Sequence, residues 1–164
     1  MSLTTLDAPT VSDTRSPTVD DDRIIEQAIA ILERRIFATG PRLIGLEGAR
    51  DYLRLKLLQE PNEMFVAVFL TAKHHVIACE ALFRGTIDSA EVHPRVVVQR
   101  ALALNAAALI VSHQHPSGDT TPSAADKAIT ARLKQVLSLV DIRLLDHFII
   151  GKGTPYSFAA SGLL

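Results

Sequence analysis

Short apolar runs of strand length, separated by turn residues and helical segments, constrain the fold of this 164-residue chain most strongly. The runs Met64–Leu70 and His75–Phe83 are joined by Thr71–His74, a connection short enough for a hairpin. Two later runs, at residues 107–112 and 142–150, alternate with helical patterns instead. The sequence therefore predicts an α/β (α+β) fold in which a mixed β-sheet is flanked by helices.

Along the sequence, helices are predicted before and after the first two strands and between the later strands. They cover about residues 22–36, 48–59, 94–104 and 123–139. Asp20–Asp22 supply a cap and favourable charge at the start of the first helix. Residues 1–21 are rich in Thr, Ser, Pro and Asp and predict a disordered tail. We expect this tail, then N-terminal helices at 22–60 that pack on the domain, and then the domain itself at 61–164.

Composition and charge disfavour several classes of protein. The chain has 17 basic and 18 acidic residues and no long basic run, which argues against strong binding of nucleic acid by this chain alone. Its single cysteine, Cys79, excludes an internal disulfide framework and a cysteine-rich zinc cage. The N-terminus lacks the pattern of a secretory signal, and no apolar stretch reaches the roughly 18–20 residues of a membrane span. We expect a soluble, cytoplasmic protein without a membrane partner.

The segment from His113 to Asp126 contains the residues most suited to bind a metal ion. His113 and His115 stand at i and i+2 on an extended strand end, so their side chains point to the same side. Pro116 favours an extended conformation at His115. Asp126 lies in the first turn of the next predicted helix, across the loop. Two imidazoles and a carboxylate with a fourth position open to water form the ligand set of a catalytic zinc, so we predict Zn²⁺ on His113, His115 and Asp126.

Glu80 is a lone carboxylate within the apolar strand Val76–Phe83. A charged side chain in such a strand needs either a partner that stabilises it or a functional role. Hydrolysis at a metal needs a group that moves protons, and Glu80 is the best candidate. The alternative is an ion pair with a nearby arginine such as Arg84. If Glu80 faces the metal, strand alternation places Cys79 on the opposite side as a small core residue.

Several polar residues near these positions have simpler explanations. Ser123 and Asp126 also form the pattern of a helix N-cap with an acidic residue at the third helical position, which is compatible with a metal-binding Asp126. Turn formation explains Ser117 and Asp119, although either could orient a histidine through its other ring nitrogen.

The remaining histidines are expected to lie outside the site. His74 and His75 fall in a predicted turn and are expected at the surface. Capping at a helix start is a sufficient explanation for His93, although His93 could still lie near the site. Asp146 and His147 face opposite sides of one strand, so at most one of them could support a metal ligand, and we predict neither.

The spacing of the candidate residues resembles a known signature. Glu80 followed by His-x-His, seven residues, Ser123, two residues and Asp126 is similar to the JAMM (MPN+) metalloprotease motif. Longer sequence motifs resemble the RadC family of bacterial JAB-domain proteins, and the resemblance extends from about Arg23 to Phe158. They are Glu80-Ala-Leu-Phe-Arg-Gly-Thr86, Val92-His-Pro-Arg95, His113-Gln-His-Pro-Ser-Gly-Asp119, Pro122-Ser-x-x-Asp126 and Asp146-His147.

The resemblance implies a fold, a set of roles and an activity. The fold would be the cytidine-deaminase-like JAB/MPN fold, with residues 61–164 as the metallohydrolase domain. Zinc would be held by His113, His115 and Asp126, with Glu80 as general acid/base and Ser123 as stabiliser of the developing oxyanion. The implied reaction is hydrolysis of a peptide or isopeptide bond in a protein or peptide substrate, whereas the spacing itself indicates only metal-assisted hydrolysis.

Two alternative functions remain open at this stage. The first is a DNA-repair or mobile-element accessory protein with a structural or vestigial metal site, because RadC proteins have been linked with DNA repair. Full-length RadC proteins resemble this chain only in their C-terminal half, and their N-terminal half carries helix-hairpin-helix sequence associated with DNA. No such motif is visible in the roughly 60 residues before the first predicted strand, so we expect weak DNA binding. A metal-dependent nuclease is disfavoured, because the acidic cluster that holds paired divalent ions is missing.

Overall fold

The computed structural model describes residues 19–37, 46–85 and 92–164. Its elements are, in chain order, α1 (Val19–Phe37), α2 (Leu46–Leu57), β1 (Met64–Leu70), β2 (Val76–Arg84), α3 (Pro94–Ala103), β3 (Ala108–Gln114), α4 (Ala124–Ser138), β4 (Arg143–Ile150) and β5 (Tyr156–Ser157). Each predicted helix and strand has a counterpart, and the predicted mixed α+β fold is confirmed. Residues 1–18 of the predicted tail lie outside the described residues.

The strands of the described residues form one mixed sheet in the order β2-β1-β3-β4-β5. β1 pairs antiparallel with β2 and β3, β3 pairs parallel with β4, and β4 pairs antiparallel with β5. The predicted β1–β2 hairpin is confirmed. Its turn is closed by hydrogen bonds from the Thr71 N–H to the His75 carbonyl and from the His74 N–H to the Thr71 carbonyl, both 2.9 Å long. Parallel strands need a crossover connection, and α4 supplies it between β3 and β4.

Helices cover both faces of the sheet. Alternate residues of β1 divide between two buried clusters, one with residues of α2 and the other with residues of α3 and α4. The first cluster includes Val66, Val68, Tyr52, Leu53 and Leu57, and the second includes Phe65, Phe69, Val97, Leu133 and Leu137. Burial on both faces explains why β1 is a continuous apolar run rather than an alternating one.

Cys79 and its neighbour Glu80 lie on opposite faces of β2. Cys79 packs against the cluster that contains α2, as predicted for a small core residue, and burial raises the pKa of its thiol. A raised pKa makes the thiol a poor nucleophile at neutral pH. Glu80 contacts Arg100 of α3, on the other side of the sheet.

No helix within the described ranges is both long and apolar enough to cross a lipid bilayer.

The end of α4 provides a matched test of this packing. Leu137 is fully buried in the cluster with α3, whereas Leu139 is 80% exposed. We expect Leu137→Ala to lower the free energy of unfolding by about 2–5 kcal/mol, because it leaves a cavity, and Leu139→Ala to change it by less than about 0.5 kcal/mol. Urea denaturation followed by circular dichroism measures both. Similar losses for the two variants would contradict the packing of α4.

Candidate metal centre

The end of β3 and the start of α4 bring two histidines and an aspartate together. His113 is the penultimate residue of β3 and pairs in register with Phe65 of β1 and Ile149 of β4. His115 follows the strand, and its N–H still donates to the Ile150 carbonyl at 2.9 Å, so it continues the strand direction. The two imidazoles therefore point to the same side, with ring centroids 4.9 Å apart. Asp126 approaches them from the first turn of α4.

Two ring nitrogens and both oxygens of one carboxylate come together at this point. His113 Nε2 lies 3.0 Å from His115 Nε2 and 3.1 Å from Asp126 Oδ1, and His115 Nε2 lies 3.5 Å from Asp126 Oδ2. Two ligands each about 2.05 Å from a tetrahedral zinc ion lie about 3.3 Å from each other, by the geometry of the tetrahedron. The observed separations bracket that value. His113, His115 and Asp126 thus form a group that could hold a metal ion.

Ser123 holds the carboxylate of Asp126 in place. It is the N-cap of α4: its Oγ accepts from the Asp126 N–H at 3.1 Å, and its own N–H donates to Asp126 Oδ2 at 2.7 Å. The Ser123 hydroxyl also donates to Oδ2 at 2.6 Å. The capping box suggested by the sequence is confirmed, and it orients the aspartate that the metal site needs. The predicted role of Ser123 toward an oxyanion stays a prediction.

The charges of the site favour an ionised aspartate. Burial alone would raise the pKa of Asp126, but hydrogen bonds with His113, His115 and Ser123 outweigh burial and hold the pKa well below its usual range. The hydrogen bond with Asp126 in turn raises the pKa of His115. Because a metal ligand must be deprotonated, protons and a metal ion compete for the same ring nitrogen of His115.

The loop between the ligands orients His115 through its other nitrogen. His115 Nδ1 lies 2.7 Å from the main-chain carbonyl of Asp119, which can only accept, so Nδ1 carries a hydrogen and Nε2 is the nitrogen that faces the site. Asp119 therefore does orient a histidine, but with its carbonyl rather than its carboxylate. The Asp119 carboxylate accepts from the N–H and the hydroxyl of Thr121, at 2.9 and 2.8 Å, and stabilises the turn.

Two glycines allow this loop to pack against the end of β4. The Lys152 N–H donates to the Gly118 carbonyl at 2.8 Å. A Cβ on Gly151 would lie 2.5 Å from that carbonyl oxygen, and Gly118 itself has a φ of +86°. Neither position therefore accepts a side chain without a shift of the backbone.

His147 is a site residue that the sequence did not reveal. Its Nε2 lies 2.8 Å from His113 Nδ1, and its side chain is fully buried. Burial holds the pKa of His147 well below its ordinary value. The expectation that at most one of Asp146 and His147 reaches the site is consistent with this contact, and the prediction of neither was wrong for His147. Alternation along β4 does not show which of the two side chains lies on the face of the sheet that carries His113. Asp146 instead accepts hydrogen bonds from Ser157 and the Ala159 N–H, which fasten the C-terminal segment.

Glu80 stands apart from the three converging residues. Its carboxylate forms a bidentate ion pair with Arg100 of α3, with Nε–Oε2 at 2.6 Å and Nη2–Oε1 at 2.7 Å. The alternative of an arginine partner is thus confirmed in kind, although Arg84 was the wrong residue: four residues of extended strand separate it from Glu80 by about 13 Å. Hydrogen bonding to Arg100 lowers the pKa of Glu80. The role of Glu80 as general acid/base stays a prediction.

The other histidines have contacts outside the group of three. His74 Nε2 lies 3.1 Å from the Arg143 guanidinium, and both His74 and His75 are half-buried rather than fully exposed. His93 is the N-cap of α3 but makes no side-chain capping bond, so the expectation of capping was wrong. Its ring instead packs edge-on against Phe83, at 6.0 Å between centroids.

Comparison with known proteins places these residues in a family context. Residues 45–163 match the family model of the RadC-like JAB domain. The chain is 51% identical to the UPF0758 protein YfjY of Escherichia coli K12 over 142 residues, covering 87% of this chain and 89% of that protein. It is 49% identical to the UPF0758 protein YkfG of the same strain over 147 residues, covering 90% and 93%. A UPF0758 protein of Azotobacter vinelandii is 52% identical over 142 residues, covering 84% of this chain but only 63% of that relative.

The three converging side chains predict that the protein binds one metal ion and that this binding depends on His113. Purified protein is expected to bind about one equivalent of zinc, and His113→Ala to bind far less, because the remaining two donors leave the site incomplete. His75→Ala, in the β1–β2 turn, is the matched control and should bind as the unaltered protein does. Elemental analysis after dialysis measures the content. Equal zinc in the His113→Ala protein and the unaltered protein would reject the site.

Proposed function

Because this chain belongs to the RadC-like JAB domain family, we propose that it is a zinc-dependent metallohydrolase that cleaves a peptide or isopeptide bond. The observation that carries the proposal is the convergence of His113 Nε2, His115 Nε2 and the Asp126 carboxylate within 3.0–3.5 Å. A protein or peptide substrate, and at most weak binding of DNA, belong to the same proposal.

The donor set supports zinc in a hydrolytic role. Two neutral imidazoles and one carboxylate leave a fourth tetrahedral position for water or substrate, which is how catalytic zinc sites differ from closed structural ones. When bound, zinc would supply Lewis acidity that polarises a carbonyl and lowers the pKa of water to about 7. Asp126 is well suited as a ligand because its low pKa keeps it ionised.

Glu80 is the proposed proton carrier. It would accept a proton from the attacking water and return it to the leaving nitrogen. In the structure its carboxylate is ionised and held by Arg100, which lowers its pKa away from the near-neutral value at which a group exchanges protons best. The pair therefore has to open or weaken in the reacting complex. Solvent screens an ion pair at the surface, so opening it loses little stability.

Ser123 is the proposed donor to the developing oxyanion. A hydroxyl has one proton to give, and in the structure that proton goes to Asp126 Oδ2 at 2.6 Å. Binding of a metal ion by the Asp126 carboxylate would weaken this bond, since the ion withdraws charge from the carboxylate. The Ser123 hydroxyl is then able to rotate toward substrate while its oxygen keeps the capping bond from the Asp126 N–H.

Replacing Glu80 separates metal binding from chemistry. Glu80→Gln should keep its zinc and lower the rate of bond cleavage by about 10²–10⁴-fold, because the amide cannot carry the proton. Cleavage of a peptide library and of lysine-branched isopeptides, read by mass spectrometry, measures the rate. Glu60→Gln, after the end of α2, is the matched control. Equal rates for Glu80→Gln and the unaltered protein would exclude Glu80, and zinc-independent cleavage would exclude the proposed reaction.

The Arg100 pair predicts a shift in the titration of Glu80. Arg100 lowers the pKa of Glu80, so Arg100→Leu should move the midpoint of Glu80 to higher pH. A base works only when it is deprotonated, and the acid limb of the pH–rate profile should move to higher pH in the same variant. Carbon-13 NMR of the carboxyl group measures the midpoint without a substrate. Arg95→Leu, on the same helix, is the control, and an unmoved midpoint in Arg100→Leu would contradict the ion pair.

A further inference from the structure

We propose that His147 and Thr130 are positioning residues for the metal site: together they fix the proton of His113 on Nδ1 and so leave its Nε2 free to bind the ion. This inference rests on the proposed metal site and extends it. It concerns residues behind the ligands, which have no direct contact with substrate in the proposed reaction.

The hydroxyl of Thr130 makes two short contacts. Thr130 Oγ1 lies 2.6 Å from the Asp126 carbonyl oxygen and 2.6 Å from His147 Nδ1. A carbonyl can only accept, so the single hydroxyl proton goes to Asp126. The Thr130 oxygen must then accept at its second contact. His147 Nδ1 therefore carries a hydrogen.

The direction of the next hydrogen bond follows from the neutrality of His147. Its ring is fully buried, and a buried imidazolium without a paired anion is strongly disfavoured. A neutral ring has one N–H, already assigned to Nδ1, so Nε2 is an acceptor. His113 Nδ1, 2.8 Å away, must donate to it. His113 Nε2, the nitrogen that faces His115 and Asp126, is then the one at which a metal ion can replace a proton.

Packing prevents the His147 ring from turning. Phe158 stacks on it with centroids 4.8 Å apart and planes 14° apart, and Phe65 meets it edge-on at 5.7 Å. Both phenylalanines are buried. A flipped ring would place carbon atoms where Nδ1 and Nε2 now stand, and Thr130 and His113 would lose their hydrogen bonds at the expense of stability.

The same network ties two of the three candidate ligands together. Thr130 stands four residues after Asp126 on α4, and its hydroxyl is bonded to the Asp126 main chain. The hydrogen bonds run from His113 through His147 and Thr130 back to Asp126. This buried row of hydrogen bonds sets the ring orientation of His113 and its position relative to α4, the helix that carries Asp126. Such outer partners commonly change metal affinity by about 10–100-fold.

Substitutions of similar size at Thr130 test this hydrogen-bond network. Thr130→Val keeps the shape but removes the acceptor, so we expect zinc affinity to fall about 10–100-fold in competition with a chelator. Thr130→Ser keeps the hydroxyl and should bind zinc nearly as the unaltered protein does. At His147, Gln can place an acceptor near Nε2 and should recover part of the affinity that His147→Leu loses. Thermal unfolding confirms that each variant compared is folded.

Nitrogen-15 NMR of the histidine rings supplies a readout independent of zinc. The unaltered protein should show His147 with hydrogen on Nδ1 and none on Nε2, and Thr130→Val should lose this preference. Hydrogen on Nε2 of His147 in the unaltered protein would overturn the inference even if zinc binds. Equal zinc affinity for Thr130→Val and Thr130→Ser would do the same. Failure of the unaltered protein to bind zinc would instead reject the proposed function, and the ring spectra would still decide the hydrogen-bond direction.

Discussion

The parallel pairing of β3 with β4, connected through α4, is the constraint on which the candidate site depends. A parallel pair requires a crossover, and this crossover returns the chain so that the carboxyl end of β3 and the amino end of α4 meet at one edge of the sheet. His113 lies at that strand end and Asp126 at that helix start. The same pairing brings β4 beside β3, which is why His147 reaches the back of His113. Ligand and supporting residue thus follow from one topological choice.

The site concentrates polar groups that the fold would otherwise exclude. Within the described residues, every buried side-chain nitrogen or oxygen has a hydrogen-bond partner. His147 is bonded at both ring nitrogens, and His113 is bonded to His147 through Nδ1 while its Nε2 faces Asp126 and His115. A metal ion would replace the contacts among His113, His115 and Asp126 and leave the outer bonds to Asp119 and His147 unchanged. An arrangement in which only the inner contacts are exchangeable needs little rearrangement when the ion binds.

Much of the candidate site could be predicted from the sequence, because the patterns that indicate it involve residues close together in the chain. Two histidines with alternate spacing beside a proline, and a serine three residues before an aspartate, determine side-chain directions within a few residues of the chain. The hairpin was predictable for the same reason. Arg100 and His147 were not, because each contact joins residues far apart in sequence: Glu80 meets Arg100 across the face of the sheet, and His113 meets His147 across the β3–β4 pair. The role given to Ser123 came from family resemblance, and that of Glu80 came from its position in an apolar strand as well as from the resemblance. The geometry adds only their present partners.

The close approach of Gly118 to Gly151 has a mechanical consequence. It fastens the loop that carries His115 to the end of β4, the strand that also carries His147. The loop that carries His115 and the strand that carries His147 therefore form one stiff unit, which resists displacement by an incoming molecule. The Glu80–Arg100 pair lies on different elements, β2 and α3, and is open to solvent. Adjustment to the shape of a bound molecule is therefore expected at the Glu80–Arg100 pair rather than at the loop that carries His115.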